Sequence, residues 1–190
     1  MKTIFAFDTA TTTTACALLR DGELVGERLT DARSVLAAAD ELAREAGIAP
    51  REIDRLVVGT GPGSFTSIRI GLATARGLAL ALGAQAAGVS TLEAFGGGVP
   101  VIDARRGEVF TSGPALARPE ELDVAGNRLV GDGAVRYRDV FEAAGADVPP
   151  DGDPSHLPSA ALLARHARAF GPAEAIEPLY LRVPDARPSA

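Results

Sequence analysis

An apolar strand, "RLVV" (55–58), runs through a glycine-rich turn, "GTGPGS", into "FTSIRIGLATARGLALAL" (65–82), and this long apolar stretch constrains the chain more than any other. It predicts a helix from about residue 65 to residue 82. Arg69 and Arg76 are its only charges, and at about 100° per residue they fall on nearly the same azimuth. Phe65, Ile68 and Leu72 lie to one side of them, while Ile70, Leu78 and Ala81 lie well round. A surface helix has one apolar stripe and a polar remainder. This one is apolar on more than one side, and its own sheet covers one side only. The small residues Ser67, Gly71, Ala75 and Ala79, spaced by four, permit close approach of another backbone. The helix is therefore expected to meet another subunit along the arc of Arg69, Ala73, Arg76 and Leu80, with Phe65 and Leu72 as further candidate interface residues. The alternative is that a neighbouring helix of the same chain covers it.

The turn itself looks like a phosphate loop. A P-loop needs G-x-x-x-x-G-K-[ST], with the lysine on the terminal phosphates. Here Ser64 stands five residues after Gly59 and no lysine is near. A dinucleotide fingerprint needs G-x-G-x-x-G, whereas this turn has Gly59, Gly61 and Gly63. Two readings stay open: an anion held by free N–H groups at the helix N-terminus, and a tight turn that packs strand and helix closely.

Around this unit the chain reads as alternating elements. "IFAF" (4–7), "ACALL" (15–19) and "ELVGER" (23–28) are three strands, the last two joined by Asp21-Gly22, a two-residue hairpin turn. "SVLAAADELAREAG" is a helix with Ser34 as N-cap, Gly47 at C′ and Val35, Leu36, Ala39 and Leu42 on one face. "QAAGV" is a short strand, and "STLE" (90–93) opens a short helix. The plan then begins again. "PVIDARRGEVFTS" (100–112) resembles the opening "FAFDTATTTTACAL", and Asp103 follows Asp8 by 95 residues, half of the 190-residue chain. This internal repeat predicts two lobes on one plan, an N-terminal α/β lobe at 1–98 and a shorter C-terminal one at 99–190 with a proline-rich loop at 149–158. A capped amphipathic helix is expected at 159–171, with Ala160, Leu163, Ala167 and Phe170 on one face.

Composition narrows the function classes. The net charge is −6, so no basic surface is on offer for nucleic acid, and contact with RNA is expected only through a partner. Lys2 is the only lysine among nineteen basic residues; with so much alanine alongside, the arginines reflect a compositional bias. The single cysteine, Cys16, sits in a strand pattern and excludes an internal disulfide or a thiolate metal cage. No signal-peptide pattern and no uninterrupted membrane-length apolar run is legible, so a cytoplasmic protein without membrane contact is expected.

"GPGSFTSIRIGLATARGLA" closely resembles the signature of the bacterial TsaB (YeaZ) family, and "GVSTLEAF", "DARRGEVF", "LVGDGA" (129–134) and "EPLYLR" (177–182) agree with it along nearly the whole chain. The resemblance implies an actin/Hsp70-like ATPase fold (ASKHA, RNase H-like), α/β, with two repeated lobes of mixed sheets flanked by helices. It implies a non-catalytic subunit that pairs with the catalytic TsaD, assisted by the ATPase TsaE, in making threonylcarbamoyladenosine beside the tRNA anticodon. It also implies that the helices at 34–46 and 65–82 form the subunit interface, and that the chain forms a homodimer when TsaD is absent. Two positions depart from the family: Ser67 stands where a glycine is usual, and Arg33-Ser34 stands where a His-Ser pair is usual.

An ATPase of this fold class needs an acidic residue near the phosphates in each lobe. Asp8 and Asp103 are in the corresponding places and, with Thr9, form the candidate degenerate nucleotide site. The turn after Asp8, Thr9-Ala10-Thr11-Thr12-Thr13, has no glycine to let backbone approach phosphate. Turn capping is the alternative role for both aspartates. His156 and His166 have no ligand at metal spacing, so the glycoprotease label once attached to the wider family finds no metal site, and Ser64 sits in no G-x-S-x-G elbow. No cofactor and no metal are expected. The alternative function is a small ATP-binding ATPase or kinase of the same fold.

Overall fold

The computed structural model describes residues 2–182; Met1 and residues 183–190, the end of the expected second lobe, lie outside the described residues. Strands β1 (Thr3–Asp8), β2 (Thr14–Arg20) and β3 (Glu23–Thr30) form an antiparallel meander. Asp21 and Gly22 turn the β2–β3 hairpin at φ +52° and +88°, the left-handed pair that a twisted two-residue hairpin demands. Strands β4 (Arg55–Gly59) and β5 (Gln85–Val89) add in parallel, giving a five-stranded sheet in the order β3-β2-β1-β4-β5.

The side-chain alternation of these strands divides the interior in two. Phe5, Phe7, Cys16, Leu18, Leu56 and Val58 point to one face, where helices α1 (Val35–Glu45) and α2 (Phe65–Leu82) cover them. Ala6, Ala15, Ala17, Leu19 and Val57 point to the other. There they meet the second sheet, in the order β8-β7-β6-β9, made of β6 (Val99–Arg105), β7 (Glu108–Thr111), β8 (Ala115–Ala117) and β9 (Leu129–Val130). The far side of that sheet packs Val101, Val109 and Leu129 against Ala134 and Phe141 of the short helices α3 (Asp132–Arg136) and α4 (Arg138–Ala143).

Three expected elements differ in detail. The helix expected at 159–171 is α5 (Ala160–His166) and stops early, because Gly171 pairs with Ala86 through both backbone hydrogen bonds and so extends the edge of the first sheet. Although it follows the second sheet in sequence, α5 buries Ala160, Leu163 and Ala164 against the first, and the Glu27 carboxylate on β3 accepts hydrogen bonds from the Ala161 N–H (3.0 Å) and the Ser159 hydroxyl (2.9 Å) at its start. Ser34 caps nothing with its side chain; its hydroxyl donates to Asp31 at 2.8 Å. "STLE" makes a single 3-10 turn, Thr91–Ala94, with the Ser90 hydroxyl accepting from the Leu92 N–H.

The glycines after β4 are sites of close approach. A Cβ on Gly59 would overlap the Asp8 carboxylate, and one on Gly63 would overlap the Ala10 carbonyl. Gly77, by contrast, faces open space in the middle of α2. Gly59→Ala is therefore expected to lower stability by about 2–3 kcal/mol, and Gly77→Ala to raise it by up to about 1 kcal/mol through helix propensity. Thermal unfolding of the isolated chain checks the opposite signs.

Candidate functional site

Helix α2 begins at Ser64, whose hydroxyl accepts from the Ser67 N–H, and ends at Gly83 in the left-handed conformation (φ +65°). The turn that launches it uses its donors inside the protein. Thr60 N–H goes to the Val89 carbonyl, Gly61 N–H to the Thr91 hydroxyl and Ser64 N–H to the Ala10 carbonyl, while Pro62 has none to give. A phosphate cradle needs such groups free, so the geometry is that of a tight packing turn.

The inner face of α2 carries Ile68, Gly71, Leu72, Ala75 and Ala79. Leu72, expected at a partner interface, is instead 5% exposed within the chain's own core. The small series Gly71, Ala75 and Ala79 admits the chain's own sheet rather than a second polypeptide; Gly71 lies against the Thr9 hydroxyl. Only 28% of the helix is buried. Its exposed positions are Thr66, Arg69, Ala73, Arg76, Gly77, Leu80 and Ala81, with Leu80 85% exposed. The bare face is thus turned beyond the expected arc, towards Gly77 and Ala81. Among the described helices α2 is the one long and apolar enough, at a mean hydropathy of 1.2, to cross a membrane, and here one face of it is seated on a sheet.

A segment from the far end of the chain lies along one side of this helix. The Arg76 guanidinium donates to the Ile176 carbonyl at 3.2 Å, and Arg69 Nε donates to the Tyr180 hydroxyl at 3.2 Å. Arg69 also lies over the Phe65 ring at 3.9 Å, and the Phe65 and Tyr180 rings are 4.7 Å apart. Phe65, half-buried, is therefore engaged within the chain. Arg69, Ala73, Arg76 and Leu80 remain exposed.

Between the two sheets lies a cavity of about 610 Å³, walled by Thr11, Ser64 and Phe65 on one side, Asp103, Arg105 and Phe110 on the other, and 179–182 along its edge. The three candidate nucleotide residues do not come together in it. Asp8 and Thr9 are sealed off, 1% and 0% exposed, and neither lines the cavity. Thr9 donates its hydroxyl to the Ser67 carbonyl at 2.7 Å, which pins the end of β1 to α2. Asp8 Oδ1 accepts from Ala10 N–H at 2.6 Å, and Oδ2 has no hydrogen-bond partner of good geometry. Burial pushes this carboxyl above the usual carboxylate range, and the Ala10 N–H and the Thr91 hydroxyl offset that only in part. Asp103 does line the cavity, but Arg105 (3.2 Å) and Arg136 (3.6 Å) already neutralise it. Its Oδ1 accepts from Arg105 N–H at 2.9 Å, two residues on, as Asp8 does from Ala10. Both aspartates therefore brace the turn that follows their strand. Beside Asp103 stands Asp132, whose Oδ1 accepts from the Asp103 N–H at 3.0 Å, and burial raises its pKa.

The two histidines sit in different settings. His156 is buried, with Nδ1 accepting from Gly131 N–H (3.1 Å) and Nε2 donating to the Pro149 carbonyl (3.0 Å). Those two backbone partners offset the cost of burying the ring. His166, half-exposed, sits 3.0 Å from Glu93.

Comparison with known proteins agrees with this geometry. The family described as TsaD, tRNA N6-adenosine threonylcarbamoyltransferase, matches residues 31–131. The protein Rv3421c of Mycobacterium tuberculosis, itself uncharacterised, is 37% identical over 215 aligned residues, covering 100% of this chain and 96% of its own. The tRNA threonylcarbamoyladenosine biosynthesis protein TsaB of Bacillus subtilis is 36% identical over 57% of this chain and 53% of its own length. The solved structure of YeaZ from Pseudomonas aeruginosa superposes with a TM-score of 0.77 at 28% identity, covering 95% of this chain and 100% of that one. The chain belongs to the TsaB (YeaZ) family. Its fold is α/β, two mixed sheets flanked by helices, and it is shared with YeaZ from Pseudomonas aeruginosa.

Within the TsaB fold, sequence reasoning missed Gly77, Ala81 and the 176–180 segment. The first two were legible as small residues four apart; the third comes from contacts more than a hundred residues away in sequence. Asp8 supplies a prediction. Its folded pKa is raised, so the native state binds a proton more readily than the unfolded chain between the ordinary carboxylate pKa and the raised one. Stability from this group is therefore present at the acid end of that window and lost as pH rises through it. In denaturant titrations carried upward from the ordinary aspartate value of 3.8, the wild type is expected to lose stability with a slope that Asp8→Asn reduces.

Proposed function

We propose that this chain is a non-catalytic assembly subunit of the tRNA threonylcarbamoyladenosine pathway, and that it pairs with TsaD through the outer face of α2. One observation carries the reading. An eighteen-residue helix is seated on its sheet by one face and presents Ala73, Gly77, Leu80 and Ala81 outward, exposed among the described residues. A helix face of small and aliphatic residues admits a second helix closely, and the exposed Leu80 is suited to fill a partner's pocket. The relatives bearing the TsaB name and the match to the TsaD family support the pathway. In this reading α1 flanks the docking face, the lobes divide at 98/99 with α5 and Gly171 returning to the first sheet, TsaE joins the assembled complex, and tRNA is met only through that complex in the cytoplasm. The chain alone pairs with a second copy when TsaD is absent. It transfers no group itself. Asp8 and Asp103 are engaged in their own turns, and the glycine loop keeps few N–H groups free.

The test is co-purification and calorimetry with the TsaD of the same organism. A complex is expected with the wild type. Ala73→Glu and Leu80→Glu are expected to weaken it at least about ten-fold, since each places a charge against an apolar contact, while the melting temperature of the isolated chain stays within a few degrees of wild type. Absence of any complex, with or without ATP and magnesium, overturns the assignment. Normal assembly of both variants overturns the choice of face.

A further inference from the structure

The outer face of α2 holds two positive charges and no negative one. Arg69 and Arg76 differ from the arginines of this chain that meet a carboxylate, such as Arg20 with Glu52, Arg128 with Asp147 and Arg138 with Asp151. The bonds that Arg69 and Arg76 make are to a phenol and a carbonyl, with no carboxylate among the described residues within ion-pair distance. Those neutral contacts fix the guanidinium groups without neutralising them. Arg69 lies flat on Phe65 with its Nε on Tyr180, which leaves its two terminal nitrogens free to take a carboxylate end-on. Arg76 is held by one terminal nitrogen on the Ile176 carbonyl. The two stand seven residues apart on one side of the helix, about 10 Å along its axis at 1.5 Å per residue.

We infer that the partner seated on this face presents a helix with two carboxylates about two turns apart, on the scale of a seven-residue spacing, set beside an apolar or small-residue strip that lies over Ala73, Gly77 and Leu80. This rests on the docking reading above and names the chemistry of the partner. A second copy of the chain fits less well. Its own α2 brings two more arginines to a two-fold contact, and the acids along its α1 are engaged: Asp40 by Arg44, Glu41 and Glu45 by Arg28. Like charges placed together at an interface are a device against the wrong partner. An RNA backbone fits less well too, because the strip between the arginines is apolar and the chain carries a net charge of −6.

The experiment is calorimetry of the full chain with the same organism's TsaD at low and high sodium chloride, for the wild type, Arg69→Gln, Arg76→Gln, the double variant, and Ala73→Glu as the docking control. The wild-type complex is expected to weaken with salt. The double variant is expected to bind at least about ten-fold less tightly at low salt and to lose most of the salt dependence. Circular dichroism melts report that each variant is folded. A complex that Ala73→Glu blocks, but that ignores both salt and the arginine substitutions, overturns this inference and leaves the docking reading standing. A complex indifferent to Ala73→Glu as well overturns both. Sedimentation of the chain alone gives the second-copy outcome: self-association tighter than the TsaD complex and abolished by the double variant overturns the inference. Retention of tRNA by the chain alone, lost in the double variant, assigns the arginines to RNA and overturns it equally.

Discussion

The close seating of α2 on the end of β1 is the constraint on which the rest of the structure depends. Three glycines make it. Gly59 lies against the Asp8 carboxylate, Gly63 against the Ala10 carbonyl, and Gly71 against the Thr9 hydroxyl. Two hydrogen bonds lock the approach, from Ser64 N–H to the Ala10 carbonyl and from the Thr9 hydroxyl to the Ser67 carbonyl. With backbone brought so near, Gly71, Ala75 and Ala79 fill the inner face of α2 beside Ile68 and Leu72. The same approach engages three of the turn's N–H donors and the Asp8 carboxylate. A turn that looks like a phosphate loop in sequence thereby becomes the root of an exposed helix.

The repeat in the sequence has a counterpart in three dimensions, and its two halves diverge where their roles do. Asp8 ends β1, Asp103 stands two residues before the end of β6, and each holds the N–H two residues on. Gly63 lies on the Ala10 carbonyl and Gly131 on the Val101 carbonyl. After those matched glycines the chain continues into eighteen helical residues in the first case and five in the second. The short α3 is covered within its own half by Tyr137 and Phe141, so among the described residues it presents no comparable open face. The asymmetry follows from sequence: "GLATARGLALAL" sustains a helix, whereas Tyr137 breaks from helical geometry after Arg136.

Much of this was legible in the residues, and what escaped did so for definite reasons. The hairpin at Asp21-Gly22, the strands and the bounds of α2 follow from turn chemistry and periodicity, which are local. Which way α2 faces is not local. Helical periodicity gives the angles between residues, but a helix apolar nearly all round carries no mark for the direction of the core. That is why Leu72 was placed outward and Gly77 and Ala81 were passed over. Phe65 shared the apolar side of Arg69, and only the fold shows that Tyr180 occupies it. His156 read as a loop residue because its two partners, Gly131 and Pro149, are backbone groups that sequence does not advertise.

On the docking reading proposed above, a face made of Ala73, Gly77, Ala81 and a single prominent Leu80 also explains how such a helix is tolerated without a partner. Large exposed apolar patches drive non-specific association, but small side chains expose little area each, and most of what they offer is proximity rather than grease. Their value is realised only when a complementary backbone comes close enough for dispersion contacts to form along the whole strip. Arg69 and Arg76 then do two things at once. They keep the free face solvated, and because Tyr180 and Ile176 hold their guanidinium groups in place, less side-chain freedom is lost when an anionic surface arrives. The far end of the chain thereby sets the readiness of a helix that begins more than a hundred residues earlier.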